Sequence, residues 1–472
     1  MTDIFYQLIA HLPEMQEIEL TEDQQNAVTQ FLEFFKSGYG RDTFLMTGSA
    51  GTGKTLLIHL FTVFLKKMGY KVILLAPTGR AAKVITRRTG KMAYTIHHHI
   101  FSVEEGLNNQ PSFSLRANKE KSKVVYIIDE ASMIGDVKDD ALRNGLLQNL
   151  LYYVFENDEN RKLMLVGDPV QLPPIGDSES PALNPHTLKQ KHDLNVFYAH
   201  LNEVKRQAFD SLVLDNAVVI RDAYTDGEEN PSVDLRMGRD VQVLDNAYDA
   251  LETYIGYFEH GNLDKVVFLT YSNQKATQIN QAIRKQVMET NELLVEGDLI
   301  MVVRNNYCWG GEHFLFLANG EMGTVLEVMR DSYEELYGLR WMDTVIGFED
   351  SQGEQKAIDC KVVLDLLENK LAQLSQEQVL QIWQARQSLY FGLPKGEATK
   401  LINQDPYING LQIKYGYAIT GHKSQGGQWE NVLIAFEPNY GGDIHQYLRW
   451  TYTVFTRAEE RVFMLGCPFL ET

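Results

Sequence analysis

The sequence predicts an α/β fold made of two doubly wound parallel sheets, with a small hairpin inserted in the first and a β-barrel plus helices inserted in the second. Three observations predict it. From Asp42 onward short apolar runs alternate with helical segments, and the polar clusters fall just after those runs, where a parallel sheet binds its ligand. Between about 292 and 408 that rhythm gives way to short strands separated by turn residues.

TFLMT (43–47), KVILLAP (71–77), VVYIID (124–129) and KLMLVGD (162–168) read as buried strands. LLIHLFTVFLKKMG reads as a helix closing on Gly69, and RAAKVITRRTG as one closing on Gly90. Between Ile100 and Lys123 the chain is too polar and turn-rich for a core element and reads as a projecting hairpin. A second α/β pattern is expected from near Asn195, with KVVFLTYSN (265–273), YGYAIT (415–420) and NVLIAF (431–436) as strands. GDLIMVV, GEMGTVLEV and DTVIGF suggest the barrel, and 366–390 one or two polar helices. The expected domains are therefore 1–194, then 195–291 with 409–472, and an inserted 292–408. No internal repeat or low-complexity tail interrupts this plan.

Composition narrows the function classes. With 44 basic and 63 acidic side chains the net charge is −19, which argues against indiscriminate coating of a polyanion. One basic channel remains compatible, because salt screens distant charges beyond about 10 Å. Three scattered cysteines, Cys308, Cys360 and Cys467, fit neither a disulfide framework nor a zinc spacing, so a reducing, cytoplasmic setting is expected. The first residues lack the marks of a signal peptide, and no apolar stretch of about 20 residues suggests a membrane span.

Gly48-Ser49-Ala50-Gly51-Thr52-Gly53-Lys54-Thr55 matches the phosphate-binding pattern G-x-x-x-x-G-K-[ST] between a strand and a helix. Its glycines let backbone N–H groups turn toward phosphates at a helix N-terminus, with Lys54 reaching the outer phosphates and Thr55 ligating Mg²⁺. Asp129, ending the next strand but one, supplies the carboxylate such a site needs for Mg²⁺, and Glu130 a base for an attacking water. Acids here also serve as simple helix caps. LMLVGDPVQLPPIG (163–176) ends a third strand with Asp168, Gln171 and a stiff Pro173-Pro174 exit. A neutral amide can bond both a phosphate oxygen and a water, so Gln171 is a candidate beside the γ-phosphate. A surface turn would explain the prolines alone.

The wider set of motifs resembles superfamily 1 DNA helicases of the RecD-like and Dda-like type. LTEDQQ (20–25), DEAS (129–132) and GDPVQLPP (167–174) carry that resemblance, with PTGRAAKV (77–84), TIHHHI (95–100), LNEVKRQ (201–207), AITGHKSQGGQW (418–429) and YTVFTRAEERV (452–462). EGDLIMVVRNN and LANGEMGTV resemble the barrel of that branch, while 330–400 matches nothing placed. The resemblance implies two RecA-like motor domains, an SH3-like barrel, ATP as substrate with Mg²⁺, and 5′-to-3′ movement on DNA. It implies that Gln24 reads adenine and that Gln425 and Gly426 lie near the nucleotide. Arg206 and Arg457 become arginine fingers, and Pro77, Thr78, His97, Thr420, His422 and Lys423 lie on the DNA side.

Arg80, Lys83 and Arg87 share one helical face, with Arg88 and Lys91 close by, a local basic excess suited to phosphates or to mere solvation. Three adjacent histidines, His97 to His99, point different ways and make no metal site. Unwinding also needs an aromatic wedge, for which Phe113 is the first candidate and Phe101 the second. The expected partners are single-stranded DNA and its junctions with duplex, met by a monomer. An RNA helicase of the same superfamily and an ATP-gated loading module without unwinding remain alternatives. A small-molecule kinase fits less well, because Glu130 suits water attack.

Overall fold

The computed structural model describes the chain apart from residues 13–18, 106–110, 122, 138–143, 205–210, 229–230, 260–261, 263–264, 288–289, 311–313, 315, 351–352, 438–442 and 470–472. Arg206 lies outside the described residues. The chain divides into one unit of Met1–Ser102 with Phe113–Ala217, and another of Val103–Ser112 with Val218–Thr472.

In the first unit, strands β1 (Asp42–Gly48), β2 (Lys71–Ala76), β3 (Ala93–Thr95), β6 (Val124–Ile128), β7 (Lys162–Gly167) and β8 (Asn195–Leu201) form one sheet. Its order is β3-β2-β6-β7-β1-β8, and every pairing is parallel. The inner strands β1, β6 and β7 are buried along their whole length, as expected for runs covered on both faces. Helices Glu22–Lys36 and Lys54–Lys67 cover one face, where Phe31 stacks on Phe61 at 3.9 Å; helix Leu146–Phe155 covers the other.

Two expectations change here. Asn195–Leu201 is the outer strand of this first sheet, in register with β1 from Asp42↔Asn195 to Gly48↔Leu201, so the first unit runs past residue 194. The expected insertion is a two-stranded hairpin, β4 (Phe101–Glu105) with β5 (Pro111–Leu115). Phe101, the second wedge candidate, is a buried core residue at its base and cannot serve as a tip.

In the second unit, β9 (Val241–Leu244), β10 (Val266–Thr270), β16 (Ala418–Thr420), β17 (Trp429–Ala435) and β18 (Ala458–Leu465) form a parallel sheet of order β16-β10-β17-β18-β9. Between β10 and β16 the chain builds a closed barrel from β11 (Leu299–Val302), β12 (Met322–Leu336), β13 (Leu339–Glu349), β14 (Gln355–Val363) and β15 (Leu411–Tyr415). Closure therefore uses a strand beyond residue 408, because β15 bonds both β11 and β14. Helix Gln376–Ser388 is tied to the segment between helix Lys395–Asn403 and β15 by Asp405, which accepts from Arg386 Nε at 2.7 Å and Tyr390 Oη at 2.6 Å. At the other end, buried Asp298 joins helix Asn273–Val287 to the barrel, accepting from Arg284 Nε at 2.8 Å and Tyr417 Oη at 3.0 Å. Among the described residues no helix is long and apolar enough to cross a membrane.

Candidate functional site

Because all strands of the first sheet run the same way, β2, β6, β7 and β1 deliver their polar ends to one edge in that order. There β1 turns through Gly48–Gly53 into the helix that begins at Lys54. Gly53 has φ +84°, and a Cβ on it would stand 2.4 Å from Gln24 Nε2, so both the turn and the close approach require glycine. Lys54 Nζ donates to the carbonyls of Gly48 at 2.7 Å and Ser49 at 2.8 Å, which holds the ammonium within the loop. Gln24, fully buried, bridges inside the chain: Oε1 accepts from Thr21 N–H at 3.1 Å and Nε2 donates to Thr52 O at 3.0 Å. The predicted adenine reader is thus also a strut beneath the loop.

Asp129 and Glu130 leave the end of β6. Glu130 adopts φ +52°, uncommon for a residue with a Cβ, and its N–H donates to Asp129 Oδ1 at 2.9 Å. Burial first, and then the neighbouring Glu130, push the Asp129 carboxyl up to about 6, against the pull of the Glu130 N–H, Lys54 and Arg88. A cation at this position would relieve that penalty. At the end of β7, buried Asp168 accepts from Val170 N–H at 3.0 Å and shapes the turn that carries buried Gln171. Ser180 Oγ, beyond the two prolines, donates to Ala131 O at 3.3 Å, tying the Gln171 segment to the Asp129-Glu130 loop.

The helix Gly79–Thr89 follows β2, capped by Thr78 Oγ1 accepting from Ala81 N–H and closed by Gly90 at φ +63°. It buries Ala81, Ala82, Ile85 and Thr89; Arg80 and Lys83 are half-buried, and Arg87 and Arg88 exposed. Lys91 differs from these, its amine lowered to about 8 by burial and then by Lys66. The three histidines occupy the short helix Ile96–Ile100: His97 lies beside Phe101, His98 beside Tyr94, and His99 against Tyr126 and Tyr153. Phe113 sits mid-strand on β5, an arm of the hairpin whose tip, 106–110, lies outside the described residues.

In the second unit the predicted residues separate into two groups. Thr420 ends β16 beside Thr270, at the C-terminal edge of the sheet, and leads into the turn Gly421–Ser424. A Cβ on Gly421 would meet Trp450 Nε1 at 2.5 Å, so only glycine admits that indole. His422 is lowered by burial, and the Lys423 amine is lowered to about 8, by burial and then by Lys414. Gly427, the residue after Gln425-Gly426, instead contacts Arg457, near the N-terminal ends of β17 and β18. Arg457 is 4% exposed; it donates to Thr453 O at 3.1 Å, Thr456 Oγ1 at 3.2 Å and Gly427 O at 3.4 Å. All three acceptors are neutral, and no carboxylate pairs with it among the described residues. A buried guanidinium so placed calls for an anion from elsewhere.

The AAA domain family matches residues 19–226, and the UvrD-like helicase C-terminal domain family matches 415–465. The chain is 26% identical to the ATP-dependent DNA helicase dda of Enterobacteria phage T4, over 60% of this chain and 61% of that one. It is 29% identical to the ATP-dependent RecD2 DNA helicase of Deinococcus radiodurans, over 33% of this chain and 18% of that one. The chain is thus similar to two helicases of the RecD- and Dda-like branch of superfamily 1. It spans less than two thirds of either of these two members of the branch. A solved structure of Pif1 helicases at forked duplex DNA is similar over 96% of this chain and 93% of that chain, at 16% identity and a TM-score of 0.49.

Two features of the site escape motif reading. Asp23 Oδ2 accepts from Asn202 N–H at 2.8 Å and Glu203 N–H at 3.0 Å, anchoring the segment that leads to Arg206. Thr47, one residue before the loop, is bonded to Tyr198 Oη at 3.0 Å and His200 Nδ1 at 2.7 Å. Both link positions far apart in sequence, and Asp23 looks like an ordinary first-turn acid.

Proposed function

We propose that this chain is an ATP-driven motor that moves 5′-to-3′ along single-stranded DNA and separates duplex strands ahead of it. The observation that carries the reading is the adjacency of three strand ends, β6, β7 and β1, which brings Asp129-Glu130, Gln171 and the Lys54 loop to one sheet edge. That set suits hydrolysis of a nucleoside triphosphate. The choice of DNA rests on the likeness to dda and RecD2, both DNA helicases by name, and the direction on the motif resemblance to the RecD- and Dda-like branch.

In this reading the Gly48–Thr55 loop and Lys54 hold the phosphates, and Gln24, Gln425 and Gly426 complete the nucleotide site. Thr55 and Asp129 offer hard oxygen donors that fit Mg²⁺, which when bound neutralises phosphate charge. Glu130 takes a proton from the attacking water, and Gln171 orients it and relays the nucleotide state toward the DNA side. Arg206 and Arg457 supply positive charge to the outer phosphate. Pro77, Thr78, Arg80, Lys83, His97, Thr420, His422 and Lys423 line the strand's path, and Phe113 parts the duplex. A single copy suffices, in a cytoplasmic setting that suits three free cysteines.

The deciding experiment is strand displacement on 5′-tailed, 3′-tailed and blunt duplexes of DNA and of RNA, with ATP turnover measured alongside. ATP-dependent opening of the 5′-tailed DNA duplex is expected. Opening only RNA would reassign the substrate, and turnover without any opening would make the chain a loading module.

A further inference from the structure

The outer strand β3 and the short helix that follows it carry an aromatic pair that the nucleotide reading does not use. Tyr94 is 40% exposed, and its ring stacks on His98 with centroids 5.5 Å apart and planes 8° from parallel. The stack is built in from behind. Thr95 Oγ1 accepts from His98 N–H at 3.1 Å, and His99, 6.3 Å from Tyr94, packs edge-on to Tyr126 and Tyr153. Burial, and then Arg116, lower the His98 imidazole, which favours its neutral form against Tyr94.

Two further facts bear on what lies against it. Arg116 is exposed and has no carboxylate partner among the described residues, in a chain whose net charge is −19. The pairing of β3 with β2 sets Tyr94 beside Leu75 and Thr95 beside Ala76, at the strand end that leads into Pro77 and Thr78 and was assigned above to the nucleic acid.

We propose that Tyr94, backed by His98, is a base-stacking platform: a nucleobase of the bound strand lies on the open face of Tyr94, and Arg116 takes a neighbouring phosphate. This rests on the single-strand reading and adds a contact to it. An exposed aromatic face beside an unpaired guanidinium matches both halves of a nucleotide, and stacking tolerates any base, as a moving motor requires. It also places strand contact at the outermost strand of the sheet, beyond the helix that carries Arg80 and Lys83.

The test is fluorescence anisotropy with labelled oligothymidylate and with a fully abasic strand of equal length, using wild type, Tyr94→Ala and Tyr94→Phe. Tyr94→Ala should weaken binding to oligothymidylate by about tenfold, and Tyr94→Phe should stay within about twofold of wild type. On the abasic strand wild type and Tyr94→Ala should bind alike, since no base is there to stack. Unchanged affinity of Tyr94→Ala for oligothymidylate, or an equal loss on both strands, would overturn the platform. Should Tyr94→Ala fold poorly, Tyr94→Leu keeps apolar bulk without a π face and is read the same way. If wild type itself ignores oligothymidylate, the single-strand reading falls first, an outcome distinct from failure of the platform alone.

Discussion

Gln24 and Thr52 are joined by a buried hydrogen bond, Nε2 to carbonyl at 3.0 Å, that runs from the first turn of one helix to the phosphate-binding loop of another element. The same amide's Oε1 completes the cap at Thr21. Gln24→Ala removes both bonds and should cost about 1–2 kcal/mol of stability, with weaker ATP binding. Gln24→Glu should bind ATP more weakly still, because a carboxylate oxygen would face the Thr52 carbonyl. Urea midpoints and titration with a fluorescent ATP analogue check both.

Lys54→Ala should lose nucleotide binding together with turnover. Glu130→Gln is nearly isosteric at a position whose backbone is already unusual, so it should bind ATP normally while turnover falls by about 10²–10⁴-fold. Loss of ATP binding in Glu130→Gln would remove the general-base role.

The Asp129 carboxyl, raised from 3.8 to about 6, makes a prediction with a definite sign. Its protonated form is favoured in the fold, so its contribution to stability is full below the unfolded value and is lost as pH rises through about 6. Asp129→Asn, neutral throughout, should therefore melt later than wild type at pH 8, on the order of 1–2 kcal/mol given partial solvent access. That advantage should shrink as the pH is lowered through 6 toward 4. Excess Mg²⁺ with nucleotide should narrow the gap by stabilising wild type alone. Calorimetry across pH decides, and turnover should be absent in the variant at every pH.

Arg457 tests charge against shape. Its three neutral partners fit a planar fork, so Arg457→Lys keeps the charge but cannot satisfy the acceptors from the same positions. Turnover should fall by about 10³-fold or more in Arg457→Lys, with ATP still bound, whereas Arg457→Ala should also lose stability. Normal turnover in Arg457→Lys would exclude it from the reaction.

Gln171 stands between the turn shaped by Asp168 and the prolines that lead back to Ala131. Gln171→Ala should retain ATP binding while losing most DNA-stimulated turnover and unwinding. If stimulation and unwinding both keep wild-type rates, Gln171 is a structural turn residue and not a relay.

Much of this was legible because buried parallel strands are continuous apolar runs, and each phosphate-binding or acidic cluster interrupts such a run at its end. Assignment to a sheet was less accessible. NVFYAHL is half-buried over Asn195–Phe197 and alternates exposed and buried only from Tyr198 to Leu201, as a half-covered outer strand can, and nothing local says that it pairs with residues near 45 rather than with strands after 240. LQIKY was likewise separated from the barrel it closes, because the pairing with β11 is long-range. Phe101 shows a limit of another kind: an aromatic at the start of a polar insertion reads as projecting, yet its ring belongs to the core beneath. Tyr94 and Asp23 went unnoticed because their meaning lies in neighbours far along the chain or in the solvent exposure of one face.

The second sheet has a consequence for biosynthesis. Among the described residues β9 bonds only β18, with Val241 opposite Val462, and β18 is also the inner neighbour of β17. A ribosome-bound chain therefore cannot seat β9 until residues from 458 onward have emerged, whereas the barrel strands can close earlier. The second sheet is expected to finish folding only once β18 has emerged, with β9 protected by chaperones until then, and chains truncated before residue 458 should aggregate.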